Sequence, residues 1–537
     1  MAACRIAFIL TLFSSTLCAQ GNRYVVFFKD KNSNPFSISQ PEAFLSAKAI
    51  ARRNKSAIAV NQEDLPVTPS YVTQVKNATG TPADVKVFFT SKWMNALLIE
   101  TTPASLSSIT ALPMVARAEL VAPGTKLIGG RVKQLKMKNS TGAAQATRTQ
   151  LQMIGLDKMH SDGIFGEGIM VSIFDGGFQG VNTAAPFQSI YAEGRMKLVK
   201  DFVTNSSNVY QFDKHGTQVF SVIAAIADNY EGGAYKSNYN LFLTEDISSE
   251  YRIEEYNWTF AAEKADSAGT DIIQSSLGYN LFDDPTMDYT IANLDGKTAV
   301  ISKAAAMARD RAIIVVVSAG NEGAKEWSLV TPPADVDGIL ATGAVNNAGL
   351  KVNFSSFGPT ADGRIKPDVV ALGLSTATIL PSGAVGSESG TSLAAPLITS
   401  LVAGLLQAYP QLKPAEVVLA IRLSADKAAN PDNRLGYGLP NYTAVKNYLE
   451  SNASGDAVAI YPNPAADSLR LSFKDLPSGP VELSFYDQQG KLLSNPVLYT
   501  TWLDNPTTIS IANLSAGVYI LKVRTSTVIK TFRFVKL

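Results

Sequence analysis

Residues 299–323 read AVISKAAAMARDRAIIVVVSAGNEG. The first thirteen residues favour a helix, and residues 312–317 form a continuous apolar run that is typical of a strand buried on both faces. Such strands occur in parallel sheets that carry helices on both sides. The segment therefore predicts an α/β fold, with the polar residues 320–323 leaving the carboxyl end of a central strand.

The same alternation of helix and strand extends over residues 150–450. Further apolar runs, separated by helical stretches, occur at residues 169–174, 240–243, 271–275 and 339–342. The helix after Thr391 is apolar on nearly every side, so it should run through the centre of the domain. We therefore predict a doubly wound parallel sheet for residues 150–450.

The first 19 residues have the layout of a secretory signal peptide, in which Arg5 precedes a short apolar run and small residues lead to Ala19. The apolar run is too short to span a bilayer. Both cysteines, Cys4 and Cys18, lie in this segment, so the mature protein would have neither disulfides nor cysteine chemistry. A lipoprotein signal at Cys18 is the alternative, although Leu17 stands where such a signal has a small residue.

Three further segments flank or connect these parts. Residues 20–122 mix predicted strands and helices, which is typical of a small α+β domain. Residues 123–149 predict an exposed linker, because residues 121–156 contain no acidic residue but carry Lys126, Arg131, Lys133, Lys136, Lys138 and Arg148. Residues 456–537 consist of short alternating segments separated by turns, which predicts a small β-sandwich.

The composition agrees with several globular domains. The 537 residues are 46% hydrophobic and 17% charged, which is enough to build large cores and gives no sign of disorder. The net charge of +1 gives no electrostatic reason to expect binding to nucleic acid or to an anionic membrane surface. We predict no transmembrane segment.

Three residues of hydrolase chemistry occur where predicted strands end or helices begin. Asp175 ends the strand at residues 169–174, His215 precedes the helical run at residues 217–227, and Ser392 begins the central helix. Reactive groups of a doubly wound sheet gather at the carboxyl edge of its strands, so we expect all three at one edge. An imidazole can take the proton of a serine hydroxyl, and a buried carboxylate can hold the ring in the correct tautomer.

The order of these residues, Asp then His then Ser, is the subtilisin order and differs from the trypsin-like and α/β-hydrolase orders. With its IFDGG, HGT, GTSLAAP and GNEG motifs, the chain resembles a subtilisin-like serine endopeptidase, or subtilase. The resemblance implies that Asn321 donates a side-chain hydrogen bond to the oxyanion. It also implies that two backbone walls clamp an extended substrate strand, one formed by Ser276, Leu277 and Gly278, the other by Ser318, Ala319 and Gly320.

The pattern departs from the family at one place. Subtilases usually have Asp-Ser/Thr-Gly, whereas residues 175–177 are Asp-Gly-Gly. The lost hydroxyl leaves one alternative open, a catalytically silent subtilase-fold binding protein. We also advance the hypothesis that Glu322 favours basic groups in the primary pocket, and we interpret His160 as a non-catalytic packing or surface residue.

The histidine count excludes rival chemistries. An α/β-hydrolase needs its histidine after the nucleophile, and none follows Ser392. A zinc peptidase needs several His or Cys ligands, whereas this chain has two distant histidines and no HExxH motif. Triad chemistry requires no cofactor. The acidic residues in stretches 245–255 and 283–284 could bind structural calcium, but such stretches are more often solvated helix faces.

The two ends resemble accessory domains. Residues 22–122 resemble the inhibitory, ferredoxin-like propeptide of subtilases, which implies autocatalytic cleavage within the basic linker. Residues 456–537 carry YPNP at residues 461–464 and end in KTFRFVKL, and they are similar to C-terminal sorting domains of the type IX secretion system in Bacteroidetes-like bacteria.

These resemblances imply three partners: a protein or peptide substrate, the chain's own propeptide and the type IX secretion machinery. They also imply passage through the periplasm and outer membrane, so that the protein is secreted or held at the cell surface. A substrate-binding β-module is the alternative for residues 456–537.

Overall fold

The computed structural model describes residues 21–124, 147–453, 458–461, 463–473, 477, 479–499 and 507–537. The predicted signal peptide and most of the predicted linker lie outside these described residues. The domain boundaries drawn from the sequence stay predictions.

The N-terminal part is an α+β domain, as predicted. Its strands are β1 (Asn22–Phe28), β2 (Lys86–Ser91), β3 (Ala96–Thr101) and β4 (Val115–Ala122). They form an antiparallel sheet in the ferredoxin-like order β2-β3-β1-β4. Its helices are α1 (Ala47–Lys55), α2 (Pro69–Lys76) and α3 (Pro103–Thr110). Val26 and Leu97 on one sheet face pack with the domain's own helices, whereas Val25 and Leu98 on the other face pack against the next domain.

Residues 147–453 contain the predicted parallel sheet. Its strands are β5 (Met170–Asp175), β6 (Met196–Asp201), β9 (Asn238–Leu243), β10 (Ile272–Ser275), β11 (Ile314–Ser318), β12 (Leu340–Val345) and β13 (Val369–Leu372). In the described part of the chain these seven strands lie in the order β13-β12-β11-β10-β5-β9-β6, all parallel. Two antiparallel pairs accompany the sheet: β7 (Ile226–Ala227) with β8 (Tyr230–Glu231), and β14 (Thr376–Ile379) with β15 (Val385–Glu388).

Helices cover both faces of this sheet. They are α4 (Arg148–Met153), α5 (Leu156–Ser161), α6 (Gln188–Ala192), α7 (His215–Ala224), α8 (Ile253–Ala268), α9 (Val300–Arg309), α10 (Thr391–Ala408), α11 (Pro414–Ser424) and α12 (Tyr442–Ala453). Ile173 of β5 belongs to the core formed with α7, α10 and α11, and the adjacent Phe174 belongs to the core formed with α8 and α9. Burial of successive side chains on opposite faces explains why these strands are apolar throughout.

The predicted central helix is α10. Every residue from Thr391 to Leu406 is buried. The helix is long and apolar enough to cross a bilayer, but 89% of this 18-residue stretch is buried inside the protein. It is therefore a core helix, and its first turn carries Ser392.

The C-terminal part is a β-sandwich. Strands β16 (Val458–Tyr461), β17 (Ser468–Phe473) and β20 (Thr507–Ser510) form one sheet. The facing sheet contains β18 (Val481–Asp487), β19 (Val497–Tyr499), β21 (Gly517–Arg524) and β22 (Ile529–Lys536). Leu469 of the first sheet and Val523 of the second belong to one shared core.

Candidate active site

Three chain segments meet at the carboxyl edge of the parallel sheet. Strand β5 ends at Asp175, helix α7 begins at His215, and helix α10 begins with Thr391 and Ser392. The stretch after Asp175 is held against the loop before α7, because Phe178 N donates to Val209 O (2.9 Å). This pairing of distant segments brings the ring of His215 beside the end of β5.

Asp175 and His215 form a buried pair. The distance from His215 Nδ1 to Asp175 Oδ1 is 2.8 Å and to Oδ2 is 3.0 Å. Gly176 N donates to Asp175 Oδ1 (2.8 Å), so a backbone amide orders the carboxylate where the family usually supplies a hydroxyl as well. A Cβ added to Gly216 would lie 2.9 Å from Asp175 Cβ, so the glycine after His215 permits this close approach.

The surrounding charges determine how the pair titrates. Burial alone would lower the pKa of His215, but the Asp175 carboxylate, followed by Asp213 and Glu245, raises it to about 9. Burial raises the pKa of Asp175, an effect that His215 and the Gly176 amide oppose. The imidazolium form of His215 is therefore favoured below about pH 9 when no substrate is bound.

Ser392 and Asn321 both lie close to Gly390. A Cβ added to Gly390 would lie 2.7 Å from Ser392 Oγ, so glycine leaves room for this hydroxyl, and 3.6 Å from Asn321 Nδ2, which is an ordinary contact distance. Asn321 Oδ1 accepts hydrogen bonds from Thr391 N (2.9 Å) and Thr391 Oγ1 (3.0 Å). Because these bonds fix the amide oxygen, Nδ2 is the group that Asn321 presents on the Ser392 side.

His215, Ser392 and Asn321 line one cleft of about 300 Å³. Five of the six predicted substrate-binding residues also line it: Ser276, Leu277, Gly278, Ser318 and Gly320. Ala319 lies in the same wall but is fully buried, and its amide donates to Thr342 O (2.9 Å). The wall formed by residues 276–278 is bonded to helix α10, because Ser276 Oγ donates to Ser392 O (2.8 Å).

The cleft contains residues that were not predicted for it: Asp213, Glu245, Asn280, Lys325 and Thr331. Glu322, predicted near the primary pocket, also lines the cleft and pairs with Lys325 (2.8 Å). Glu245 follows β9, a neighbour of β5, by two residues. The rule that reactive groups follow the carboxyl ends of parallel strands could therefore have located it.

His160 lies outside this cleft. Its Nε2 is 2.9 Å from Gly233 O, and its ring contacts Phe165 and Tyr235. These contacts are consistent with the predicted packing role.

Two of the carboxylates that were considered for calcium, Asp283 and Asp284, accept hydrogen bonds from backbone amides. No group of three or more His, Cys, Asp or Glu side chains in the part of the chain that the structure describes is arranged to hold a metal ion. Asp283 Oδ2 accepts a hydrogen bond from Glu250 N (3.0 Å), and Asp284 caps a short turn through Thr286 N (2.9 Å).

Comparison with known proteins places this site in a family. The sequence profile of the subtilase family matches residues 166–438. The chain belongs to the subtilase family. Residues 23–139 of this subtilase match the peptidase S8 propeptide domain of Bacteroidota, and residues 459–536 match a secretion system C-terminal sorting domain.

Similar proteins agree with this assignment. The subtilase is 30% identical to subtilisin of Bacillus pumilus over 280 residues, which cover 51% of this chain and 90% of the relative. It is 29% identical to subtilisin E of Bacillus subtilis over 308 residues, which cover 56% and 72% of the two chains. Its fold is similar to that of the epidermin leader peptide processing serine protease of Staphylococcus aureus, with a TM-score of 0.55 and 15% identity, covering 80% of this chain and 99% of the other.

The predicted family, fold class, enzyme class and localisation are therefore confirmed. The subtilase is a serine endopeptidase with a propeptide domain. Its sorting domain directs it through type IX secretion to the cell surface or the extracellular space.

Proposed function

We propose that this subtilase hydrolyses peptide bonds through an acyl-enzyme intermediate and activates itself by cleaving its own linker. The main support is the Asp175–His215 pair, in which His215 Nδ1 lies 2.8 Å from Asp175 Oδ1. The His215 ring lines the same cleft as Ser392. Nucleophilic catalysis by serine requires a hydroxyl, a base in the same cleft and a buried carboxylate that orients the base.

In the first half-reaction, Ser392 Oγ attacks the carbonyl carbon of the substrate while its proton passes to His215 Nε2. Asp175 keeps Nδ1 protonated and stabilises the imidazolium that forms. The negative charge on the carbonyl oxygen is received by Asn321 Nδ2 and by the backbone N–H of Ser392, which belongs to the first turn of α10. Collapse of the intermediate breaks the C–N bond, and His215 returns the proton to the leaving amine.

In the second half-reaction, water attacks the ester on Ser392. His215 takes a proton from the water, and the resulting hydroxide equivalent adds to the acyl carbon. The second tetrahedral intermediate uses the same two oxyanion donors. Its collapse breaks the C–O bond to Ser392, which regains its proton from His215, and the acid product leaves.

The contacts of the propeptide domain support its role as a bound inhibitor. Glu263 of α8 accepts hydrogen bonds from Ser91 Oγ (2.5 Å), Lys92 N (2.7 Å) and Trp93 N (3.1 Å). These groups are buried, so the Glu263 carboxylate accepts the hydrogen bonds that the β2–β3 turn of the propeptide domain would otherwise donate to water. Such an interface can persist after the linker is cut.

A second cluster joins the same two domains. Asp266 of α8 pairs with Arg52 (2.6 Å), Arg53 (2.8 Å) and Lys92 (3.0 Å) of the propeptide domain. In the reverse direction, Arg311 of the catalytic domain pairs with Asp64 of the propeptide domain (2.8 Å). We call Asp266 with its three basic partners the interface cluster.

Self-processing is tested by expressing Ser392→Ala, which should remain a full-length, unprocessed chain, whereas the wild type should yield separate propeptide and catalytic pieces. Ser400→Ala is the matched control, because this buried serine of the same helix donates to Pro396 O within the helix. The control should mature normally. Maturation of purified Ser392→Ala at the wild-type rate would refute self-processing.

Catalysis itself is tested with a fluorophosphonate probe, which reacts with an activated serine. The mature wild type should be labelled at Ser392, and Ser392→Ala should not be. The alternative of a catalytically silent binding protein predicts no labelling of either. The Gly176 amide that holds Asp175 is the observation against that alternative.

A further inference from the structure

The cleft wall beside His215 carries an acidic side chain that triad chemistry does not use. Glu245 follows β9 and lines the cleft together with His215 and Ser392. It is 7% exposed, and Tyr279 Oη donates to its Oε1 (3.3 Å). The carboxylate is therefore held in a defined place at the surface that a substrate must contact.

The departure from the family pattern lies directly against this carboxylate. A Cβ added to Gly176 would lie 3.4 Å from Glu245 Oε2 and 3.1 Å from Ile247 Cγ2. A serine or threonine at this position would place its side chain against the carboxylate. Because residue 176 is glycine, this position places no side chain of its own against the carboxylate.

Two carboxylates line the His215 side of the cleft. Asp213 lines it together with Glu245, and both carboxylates raise the pKa of His215. Behind this wall, burial and then the carboxylates of Glu245, Glu254 and Glu250 raise the pKa of the Tyr279 hydroxyl. The basic side chain Lys325, which also lines the cleft, pairs with Glu322.

The geometry of an extended peptide indicates which substrate residue meets Glu245. Side chains of an extended strand point alternately to opposite sides. If the residue whose carbonyl is attacked directs its side chain between the two backbone walls, toward Thr331, the preceding residue directs its side chain toward His215. We call that preceding residue the penultimate residue.

We infer that Glu245 selects substrates with lysine or arginine as the penultimate residue, an inference that rests on the proposed peptidase activity. A cationic side chain there would meet a carboxylate that is nearly removed from water, where charge pairs are stronger than at an exposed surface. The chain's own linker has the matching charge, because residues 121–156 contain no acidic residue and six basic ones.

The test compares two fluorogenic peptides that differ only in the penultimate residue, lysine in one and norleucine in the other. Norleucine keeps the straight carbon chain and removes the charge. The mature wild type should cleave the lysine peptide with a kcat/KM at least about tenfold higher, as for a desolvated charge pair. This ratio should fall toward one in Glu245→Gln and stay at the wild-type value in Glu167→Gln, which removes an exposed carboxylate outside the cleft.

Ionic strength gives a second measurement that needs no variant. The lysine preference of the wild type should shrink when salt is raised to about 1 M, where the Debye length is about 3 Å. Equal cleavage of the lysine and norleucine peptides by the wild type at low salt would overturn the inference even if Glu245→Gln failed to fold.

Labelling by the fluorophosphonate probe separates failure of this inference from failure of the proposed function. An enzyme that is labelled at Ser392 but cleaves both peptides equally refutes the charge selection alone. Retention of the lysine preference in Glu245→Gln refutes the assignment to Glu245. An unlabelled mature protein refutes the peptidase activity, and the inference falls with it.

Discussion

Replacing Asp266 by asparagine should release the propeptide domain from the processed catalytic domain. Asp266 is fully buried and is the carboxylate that pairs with Arg52, Arg53 and Lys92. Burial alone would raise the pKa of Asp266, but Lys92, Arg53 and Arg52 hold it below its ordinary value. In Asp266→Asn, the three cations stay buried in the complex without this negative charge, whereas dissociation returns them to water.

The magnitude follows from the pairs that are lost. Removal of one partner from a buried ion pair weakens the structure by about 3–5 kcal/mol. Arg53 keeps a second carboxylate, because its Nη1 lies 3.0 Å from Asp64 Oδ2, so we take the lower end of that range. At about 1.4 kcal/mol per factor of ten, 3 kcal/mol corresponds to a dissociation constant roughly a hundredfold larger.

The assay uses the processed protein with its propeptide still bound. It is diluted in steps, and hydrolysis of a small fluorogenic peptide reports the free enzyme. Asp266→Asn should become active at a concentration roughly a hundredfold higher than the wild type. The midpoint of the dilution curve is the concentration at which half of the enzyme is active. Asp310→Asn is the matched control, because Asp310 forms an exposed pair with Arg309 (2.7 Å), and this substitution should leave the midpoint unchanged. A midpoint for Asp266→Asn within about threefold of the wild type would refute the role of the interface cluster.

Three further predictions concern catalysis and export. The kcat/KM of the wild type should rise with pH through about 9, because neutral His215 is the form that accepts a proton. Asp213→Asn should move this rise to lower pH, because the Asp213 carboxylate helps to raise the pKa of His215. An unchanged profile in Asp213→Asn would contradict that effect of Asp213. Asn321→Ala should lower kcat by about a hundredfold to a thousandfold, a magnitude carried over from the relative subtilisin, and a loss confined to KM would count against an oxyanion role. Asn463→Ala removes two hydrogen bonds to the last strand, from Asn463 Nδ2 to Arg533 O and from Val535 N to Asn463 Oδ1 (both 2.9 Å). It should destabilise the sorting domain by about 1–3 kcal/mol and retain the protein in the periplasm. Cell fractionation would show this retention, and normal secretion would contradict the prediction.

The residues that sequence reasoning brought together share a local signal. Asp175 ends a strand, and His215 and Ser392 begin helices, so the geometry of a parallel sheet is enough to place them at one edge. The two walls of the cleft follow strands β10 and β11 in the same way. These positions depend mainly on where strands end and helices begin, which the periodicity of apolar residues indicates.

The residues that sequence reasoning missed depend on contacts between distant segments. Glu263 and Asp266 lie on α8 and are buried partly because a domain about 170 residues earlier in the chain packs over them. Glu245 was considered only as a calcium ligand, although its position two residues after β9 could have placed it at the same edge of the sheet. A carboxylate on a helix, such as Glu263 or Asp266, gives no sequence signal that says which domain will cover it.

Carboxylates of the catalytic domain match basic residues of both the propeptide domain and the linker. The catalytic domain presents carboxylates at two places, Asp266 and Glu263 at the propeptide interface and Glu245 with Asp213 in the cleft. The propeptide domain meets the first with buried cations, and the basic linker that follows it carries the charge that suits the second. Both contacts join a carboxylate to a cation, so rising salt should weaken both. The buried interface cluster should be screened less than the cleft. Rising salt should therefore reduce the selection of basic residues in the cleft before it releases the propeptide, and release at the lower salt concentration would contradict this ranking of the two contacts.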